Sequence, residues 1–341
     1  MNFSQSLEQV FSGQDLSEEI MTDVMHTVMT GEATPAQIGA LLGALRTKGE
    51  SVSEVVGAAK VMRKLATSVD LKGSIAIDIV GTGGDASHTF NVSTCCALVT
   101  AGAGVKVAKH GNRSVSSKSG AADFLETAGV ALNLSPEAVA RCVNEVGVGF
   151  MFAPNHHSAM RHAIGPRREM GTRTIFNLLG PMTNPAGVTR QILGVFDSAW
   201  VRPVAESMAK LNSDHVLVVH GHDGMDEISL SGPTTVAEVK NGSVQDSTID
   251  PTEFGFKIQP LSDIQVEGPE QSLAMINSVL KNEPSAARDI VLLNSGAAVY
   301  VGGAAASIAE GIDAAKQSLE SGKAAGVLSQ LAALTQTLAE E

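Results

Sequence analysis

The feature that most constrains this chain is a change of hydrophobic period near residue 75. Upstream, apolar residues recur at helical spacing; downstream, Ile75-Ala76-Ile77-Asp78-Ile79-Val80 is a β-branched run ending in Gly81-Thr82-Gly83-Gly84-Asp85. Val92 to Ala101 returns to a helical pattern, so the unit reads as strand, glycine loop and helix. The order then recurs. Val105-Lys106-Val107-Ala108 reads as a strand, Ala121 to Ala128 as a helix, Ser135-Pro136 as a helix start and Val148 to Phe152 as a strand. Gln191 to Phe196 and His215 to Val219 are further strands, separated by a helical stretch from Ala199 to Leu211. Such alternation predicts an α/β domain with a mostly parallel central sheet.

The first 70 residues predict four short helices. Phe3, Leu7, Val10 and Phe11 share one face that stops at Gly13, and Ile20, Val24 and Val28 do the same up to Gly31. Thr34-Pro35-Ala36-Gln37 and Ser51-Val52-Ser53-Glu54 are capping boxes ahead of two more apolar faces. We expect a small helical domain over residues 1–72 and an α/β domain over 73–341. The Gly- and Pro-rich segment near 165–183 is a candidate returning crossing between them. A helical unit this small has little core of its own, so it is expected to pack on the rest of the chain or on a second copy.

With 24 Lys and Arg against 36 Asp and Glu, the formal net charge is −12, which disfavours a nucleic-acid-binding role. The three cysteines, Cys95, Cys96 and Cys142, fit neither a disulfide framework nor a paired C-x-x-C metal site, and point to a reducing cytoplasm. Met1 to Ser6 lack the basic start and apolar core of a secretory signal. Ile290 to Ala309 carries no charge over 20 positions, but Asn294, Gly296, Gly302 and Gly303 within it predict a buried helix pair rather than a membrane span.

Three segments carry candidate chemistry. Gly81 to Asp85 stands where a strand hands over to a helix, so its N–H groups can converge on an anion, and Asn91-Val92-Ser93-Thr94 adds polar side chains in the helix's first turn. Neither G-x-G-x-x-G nor the P-loop pattern is matched, which disfavours a dinucleotide or P-loop nucleotide. Lys109-His110-Gly111-Asn112-Arg113-Ser114, followed by Ser116, Ser117, Lys118, Ser119 and Gly120, forms a second cationic loop at a second strand end. Asp226-Glu227 is an acid pair of the kind that holds Mg²⁺ beside a phosphate ligand. His220-Gly221-His222 lacks a third ligand at persuasive spacing for zinc, and His156, His157 and His162 read as loop or packing residues. Arg167, Arg168 and Arg173 flank the crossing, where a guanidinium can pair with a planar carboxylate. No G-x-S-x-G elbow occurs and Cys142 lies in an amphipathic helix, so no covalent nucleophile is evident.

Together these motifs resemble the anthranilate phosphoribosyltransferase family, nearly end to end. The likeness runs through Gly81–Asp85, Thr89–Thr94, Lys109–Ser114 with Ser119-Gly120, Phe152-Ala153-Pro154 with His157, Arg173–Pro181, Thr183-Asn184-Pro185 and Asp226–Ser229. The lysine-histidine-glycine-asparagine loop alone is shared with pyrimidine nucleoside phosphorylases, which makes phosphorolysis of thymidine or uridine the enzymatic alternative. Ala86 and Ser158 stand where the family commonly has Gly and Pro.

The resemblance implies a small helical domain hinged to a larger α/β domain, a homodimer through the helices, and transfer of phosphoribose from phosphoribosyl pyrophosphate to the amine of anthranilate in tryptophan biosynthesis. By match of motif, phosphoribosyl pyrophosphate falls to Gly81, Gly83, Gly84, Asp85, Thr89, Asn91, Val92, Ser93, Thr94, Lys109, His110, Gly111, Asn112, Arg113, Ser114, Val115, Ser116, Ser117 and Ala121. Gly81, Asn112 and Arg167 are assigned to anthranilate, and Ser93, Asp226 and Glu227 to magnesium, with two ions expected beside the bound diphosphate. No nucleic acid or membrane partner is expected.

Overall fold

The computed structural model describes residues 2–85, 87–113 and 120–341. The chain opens with α1 (Phe3–Phe11), α2 (Glu18–Thr30), α3 (Pro35–Lys48) and α4 (Val52–Leu65). Both expected capping boxes form: Gln37 N–H donates to Thr34 Oγ1 at 3.3 Å, Thr34 N–H donates back to Gln37 Oε1 at 2.9 Å, and Ser51 and Glu54 repeat the exchange. A third box, Asn2 with Gln5, starts α1. Gly31 closes α2 at φ +83°, a left-handed turn that glycine adopts without a Cβ clash.

The α/β part begins with β1 (Ile77–Gly81), α5 (Val92–Gly102), β2 (Val107–Gly111), α6 (Ala121–Thr127), α7 (Pro136–Glu145) and β3 (Val148–Phe152). Next come α8 (Ala153–His156), α9 (Arg161–Met170), α10 (Ile175–Met182), β4 (Arg190–Gly194), α11 (Val201–Lys210) and β5 (His215–Gly221). A hairpin of β6 (Thr234–Lys240) and β7 (Ser243–Ile249) precedes α12 (Pro269–Leu280), α13 (Ala286–Gly302), α14 (Ile308–Glu320) and α15 (Lys323–Glu340). Among the described residues, seven strands form one sheet in the order β3-β2-β1-β4-β5-β6-β7. β1 to β5 run parallel, and β6 and β7 are antiparallel additions at one edge. The first strand starts at Ile77, two residues later than its apolar run, and Ile75 is left exposed ahead of the sheet.

Period-two alternation assigns the two sheet faces to two cores. Ile192, Leu217 and Val219 face a core with α5, α12, α13 and α15. Leu193, Val216 and Val218 face a second core, shared with α11, α10 and the apolar faces of α1 to α4. The four-helix unit therefore has no closed core of its own, as its size implies. Residues 165–183 take in the second half of α9 and all of α10, and Ala163, Ile175 and Leu179 insert into the second core. The uncharged stretch is one buried helix rather than the expected pair: Ile290–Gly302 lies in α13, and of its remaining residues only Ile308 and Ala309 belong to α14. α14 does pack on α13 backbone to backbone, since a Cβ at Gly311 would stand 2.1 Å from Gly296 O. Among the described residues no helix is long and apolar enough to cross a membrane.

Candidate active site

The chain winds from β1 outward through β2 and β3, then returns to lay β4 and β5 on the other side of β1. Beyond the carboxyl ends of such strands, at the point of reversal, open α/β sheets leave a crevice for ligands. Here β1, β4 and β5 all end in glycine, at Gly81, Gly194 and Gly221, with Gly81 and Gly194 paired in register. After β5 the turn through Gly224, at φ +96°, folds the chain back so that Asp226 lies across the paired glycines. A Cβ at Gly81 would stand 2.3 Å from Asp226 Oδ2, which explains in steric terms why the strand ends bare.

The glycine loop and the acid pair meet directly. Gly83 N–H donates to Asp226 Oδ2 at 2.9 Å, with Gly83 at φ +65° and Gly84 at φ +73°. Oxygens of Asp85, Asp226 and Glu227 lie within 4.8 Å of one another. Burial, then the charge of Asp85, raises the Asp226 pKa; burial, then the neighbouring Asp226 and Asp85, raises that of Glu227. Three crowded carboxylates held against their own repulsion are an all-oxygen donor set suited to a hard divalent cation. Ser93, expected with them, lines the same small cavity as Gly81, Asp226 and Glu227.

Lys109 points into this cluster from β2. Its Nζ donates to Ile79 O at 2.5 Å and to Ser93 Oγ at 3.1 Å, and burial lowers its pKa against the pull of Asp78, Glu227 and Asp226. Asn91 caps α5 by accepting from Thr94 N–H at 2.9 Å, and the positive end of that helix faces the crevice. Asn91 N–H donates to Ser272 Oγ at 3.0 Å, while Thr89 bridges to Gln265, so the 87–91 loop is tied to the chain before α12. Arg173 donates to Gly84 O and stacks 4.3 Å from the Phe196 ring centroid.

Behind the cationic loop, buried Asp78 accepts from His110 N–H at 3.1 Å and from Asn184 Nδ2 at 2.8 Å. Burial pushes its pKa up to about 6. The His110 ring lies 5.1 Å from that of His157, and burial pushes their pKa values down to about 3 and about 4. Both imidazoles are neutral at pH 7, and each Nε2 is buried without a partner among the described residues.

Other predicted residues make contacts of their own. Arg113 pairs with Glu126 at 2.7 Å and Asp123 at 3.2 Å and lies over Phe152. Asn112 and Gly111 lead into that loop and Ala121 opens α6; Ser114, Val115, Ser116, Ser117, Lys118, Ser119 and Ala86 lie outside the described residues. Arg167, half-buried on α9, sits 5.1 Å from the Phe176 ring centroid; burial lowers its pKa, and no carboxylate pairs with it among the described residues. Sequence reasoning missed Gly194, Asp78, Asn184 and the facing of His157 to His110. Gly194 was hidden inside a strand, and the others act through partners distant in the chain.

The chain matches the family model described as glycosyl transferase family, helical bundle domain, over residues 4–66, and the one described as glycosyl transferase family, a/b domain, over residues 73–325. Fold and site thus define the class: a glycosyl transferase built from a helical bundle and an α/β domain. It is 57% identical to the anthranilate phosphoribosyltransferase of Thioalkalivibrio sulfidiphilus, with 98% of this chain and 99% of the relative covered. The crystal structure of anthranilate phosphoribosyltransferase from Thermus thermophilus is 41% identical, with TM-score 0.92 over 97% of this chain and 99% of that one. The Saccharomyces cerevisiae enzyme in complex with PRPP and Mg is 28% identical, with TM-score 0.89 over 98% of each chain. The chain belongs to the anthranilate phosphoribosyltransferases.

Proposed function

We propose that the chain transfers the phosphoribosyl group of phosphoribosyl pyrophosphate to the amine of anthranilate, giving N-(5-phosphoribosyl)anthranilate and pyrophosphate in tryptophan biosynthesis. The observation that carries this reading is the meeting of Gly83, Asp85, Asp226 and Glu227 at the end of β1, with Lys109 and Ser93 alongside. The loop Gly81–Asp85, Thr89, Asn91–Thr94, Lys109–Ser117 and Ala121 hold the phosphoribosyl diphosphate. Ser93, Asp226 and Glu227, joined by Asp85, hold Mg²⁺, with two ions expected. Bound there, Mg²⁺ supplies neutralisation of the charge that develops on the departing diphosphate.

The reaction breaks the bond between ribose C1 and the pyrophosphate oxygen, and the electron pair leaves with pyrophosphate. A bond from the anthranilate nitrogen to C1 forms, and that nitrogen gives up a proton to water. Because C1 passes through oxocarbenium character, the protein's task is charge placement and alignment. Lys109 and loop N–H groups face the leaving side, and each preorganised donor of this kind contributes about 3 kcal/mol. Gly81, Asn112 and Arg167 hold anthranilate, the guanidinium of Arg167, which has no acid partner among the described residues, matching its carboxylate. An arylamine is neutral at pH 7 and keeps its lone pair, so strong base catalysis is not required; neutral His110 is a positioning group. No thiol supplies a covalent route: Cys96 is pushed up to about 12, Cys142 to about 11, and Cys95 is raised by burial.

Residues 1–72 with the returning segment 165–183 act as a helical body hinged to 73–341, and two chains pair through it in the cytoplasm. The exposed Phe11, 59% accessible on α1, supports an interface there. Sedimentation equilibrium at micromolar chain tests the pairing; a monomer excludes it. For the activity, loss of anthranilate fluorescence on mixing with phosphoribosyl pyrophosphate and Mg²⁺ is expected. Phosphorolysis of thymidine or uridine without that loss rejects the assignment.

A further inference from the structure

One buried polar side chain on the wall of the carboxylate cavity has no task in this mechanism. Asn294 stands on α13, 2% exposed, and lines the same cavity as Ser93, Asp226 and Glu227. Its carboxamide closes a ring on a single residue: Ile228 N–H donates to Asn294 Oδ1 at 2.9 Å, and Asn294 Nδ2 donates to Ile228 O at 2.8 Å. The same Nδ2 reaches Ile290 O, one turn back, at 2.9 Å. A flipped amide would set donor against donor and acceptor against acceptor, so the network fixes its orientation.

Ile228 follows Glu227 directly and belongs to neither β5 nor β6. Its backbone groups are buried outside any ladder, so they need side-chain partners. The next residue is held from the opposite side, where Ser229 N–H donates to Thr234 Oγ1 at 3.0 Å and Ser229 Oγ donates to Asp223 Oδ2 at 2.6 Å. The acid pair thus sits on a strap pinned to a core helix and to the edge hairpin. A loose strap would let Asp226 and Glu227 move apart.

We propose that Asn294 is a positioning residue for the divalent ion: by locking the backbone at Ile228 it keeps both carboxylates of the acid pair presented to one cation. The inference rests on the metal role given to Asp226 and Glu227 above. Loss of an outer partner of a metal ligand typically weakens metal binding by about 10- to 100-fold.

The test is a Mn²⁺ titration followed by electron paramagnetic resonance in the presence of inorganic pyrophosphate, on the wild-type chain, Asn294→Leu and Asp226→Asn. Asn294→Leu is expected to weaken Mn²⁺ binding and to raise the KM for Mg²⁺ by about 10- to 100-fold, with the KM for anthranilate at saturating Mg²⁺ unchanged. Wild-type Mn²⁺ affinity in folded Asn294→Leu, or a fall in kcat with the metal dependence intact, overturns the proposal alone. A wild-type chain that binds no Mn²⁺, or Asp226→Asn that binds like wild type, overturns the metal assignment beneath it. If leucine prevents folding, Asn294→Ser, which cannot span both Ile228 groups, decides by the same readouts.

Discussion

Gly194 and Asp226 approach so closely that a Cβ on residue 194 would stand 1.5 Å from the Asp226 carbonyl oxygen. The glycine at the end of β4 is therefore what lets the acid-bearing strap cross the sheet. Gly194→Ala must displace backbone rather than a flexible side-chain tip. Misplacing a reacting group by about 1 Å costs about 100-fold. We expect kcat/KM for phosphoribosyl pyrophosphate to fall by at least that factor while far-UV circular dichroism stays native; near-normal turnover would show that the strap tolerates displacement.

Arg173 fastens the glycine loop through Gly84 O and stacks on Phe196. A charge-assisted hydrogen bond with such stacking contributes about 2 kcal/mol, roughly 30-fold in affinity. Arg173→Ala is expected to raise the KM for phosphoribosyl pyrophosphate by about that factor and leave the KM for anthranilate in place. An unaltered donor KM would remove Arg173 from the loop's support.

Arg167 is half-buried and without an acid partner among the described residues. Arg167→Ala is predicted to raise the KM for anthranilate by about 30-fold, the worth of one charge-assisted pair, with little change for the phosphoribosyl donor. Steady-state kinetics with each substrate varied in turn checks this. Equal effects on both would reject the assignment.

The α/β order and the three candidate segments were legible in sequence because strand, glycine loop and helix are adjacent there. What was not legible depends on distance along the chain. Asp78 lies inside an apolar strand and acquires meaning only when Asn184 and the His110 backbone reach it. The β6–β7 hairpin did carry a local signal, Asn241-Gly242 with both φ positive, but it sits in a polar edge segment without a strong apolar period. Asp85 was placed with the phosphate loop, and folding adds it to the acid pair 141 positions away (226 − 85).

The buried imidazoles set a pH dependence of stability. His157 is held near pKa 4, against about 6.5 when unfolded, so below pH 6.5 the unfolded chain takes up a proton that the folded one refuses. Stability from this group is full above pH 6.5 and is lost as pH falls toward 4. His110, near 3, acts in the same direction, whereas Asp78, raised to about 6, stabilises progressively as pH falls below 6. In urea titrations, His157→Asn is expected to reduce the stability lost between pH 7 and pH 5 by about 2 kcal/mol. The same loss as wild type would mean that His157 is not held neutral.

Calorimetric titration of the wild-type chain with phosphoribosyl pyrophosphate, in Mg²⁺ and in EDTA, tests whether the acid pair binds the diphosphate through a divalent ion. Carboxylates that crowd Gly83 must repel a bare diphosphate and accept it once a divalent ion lies between them. Saturable binding of one molecule per chain is expected in Mg²⁺ and its loss in EDTA; equal affinity in both would mean that the acid pair holds no ion for the diphosphate.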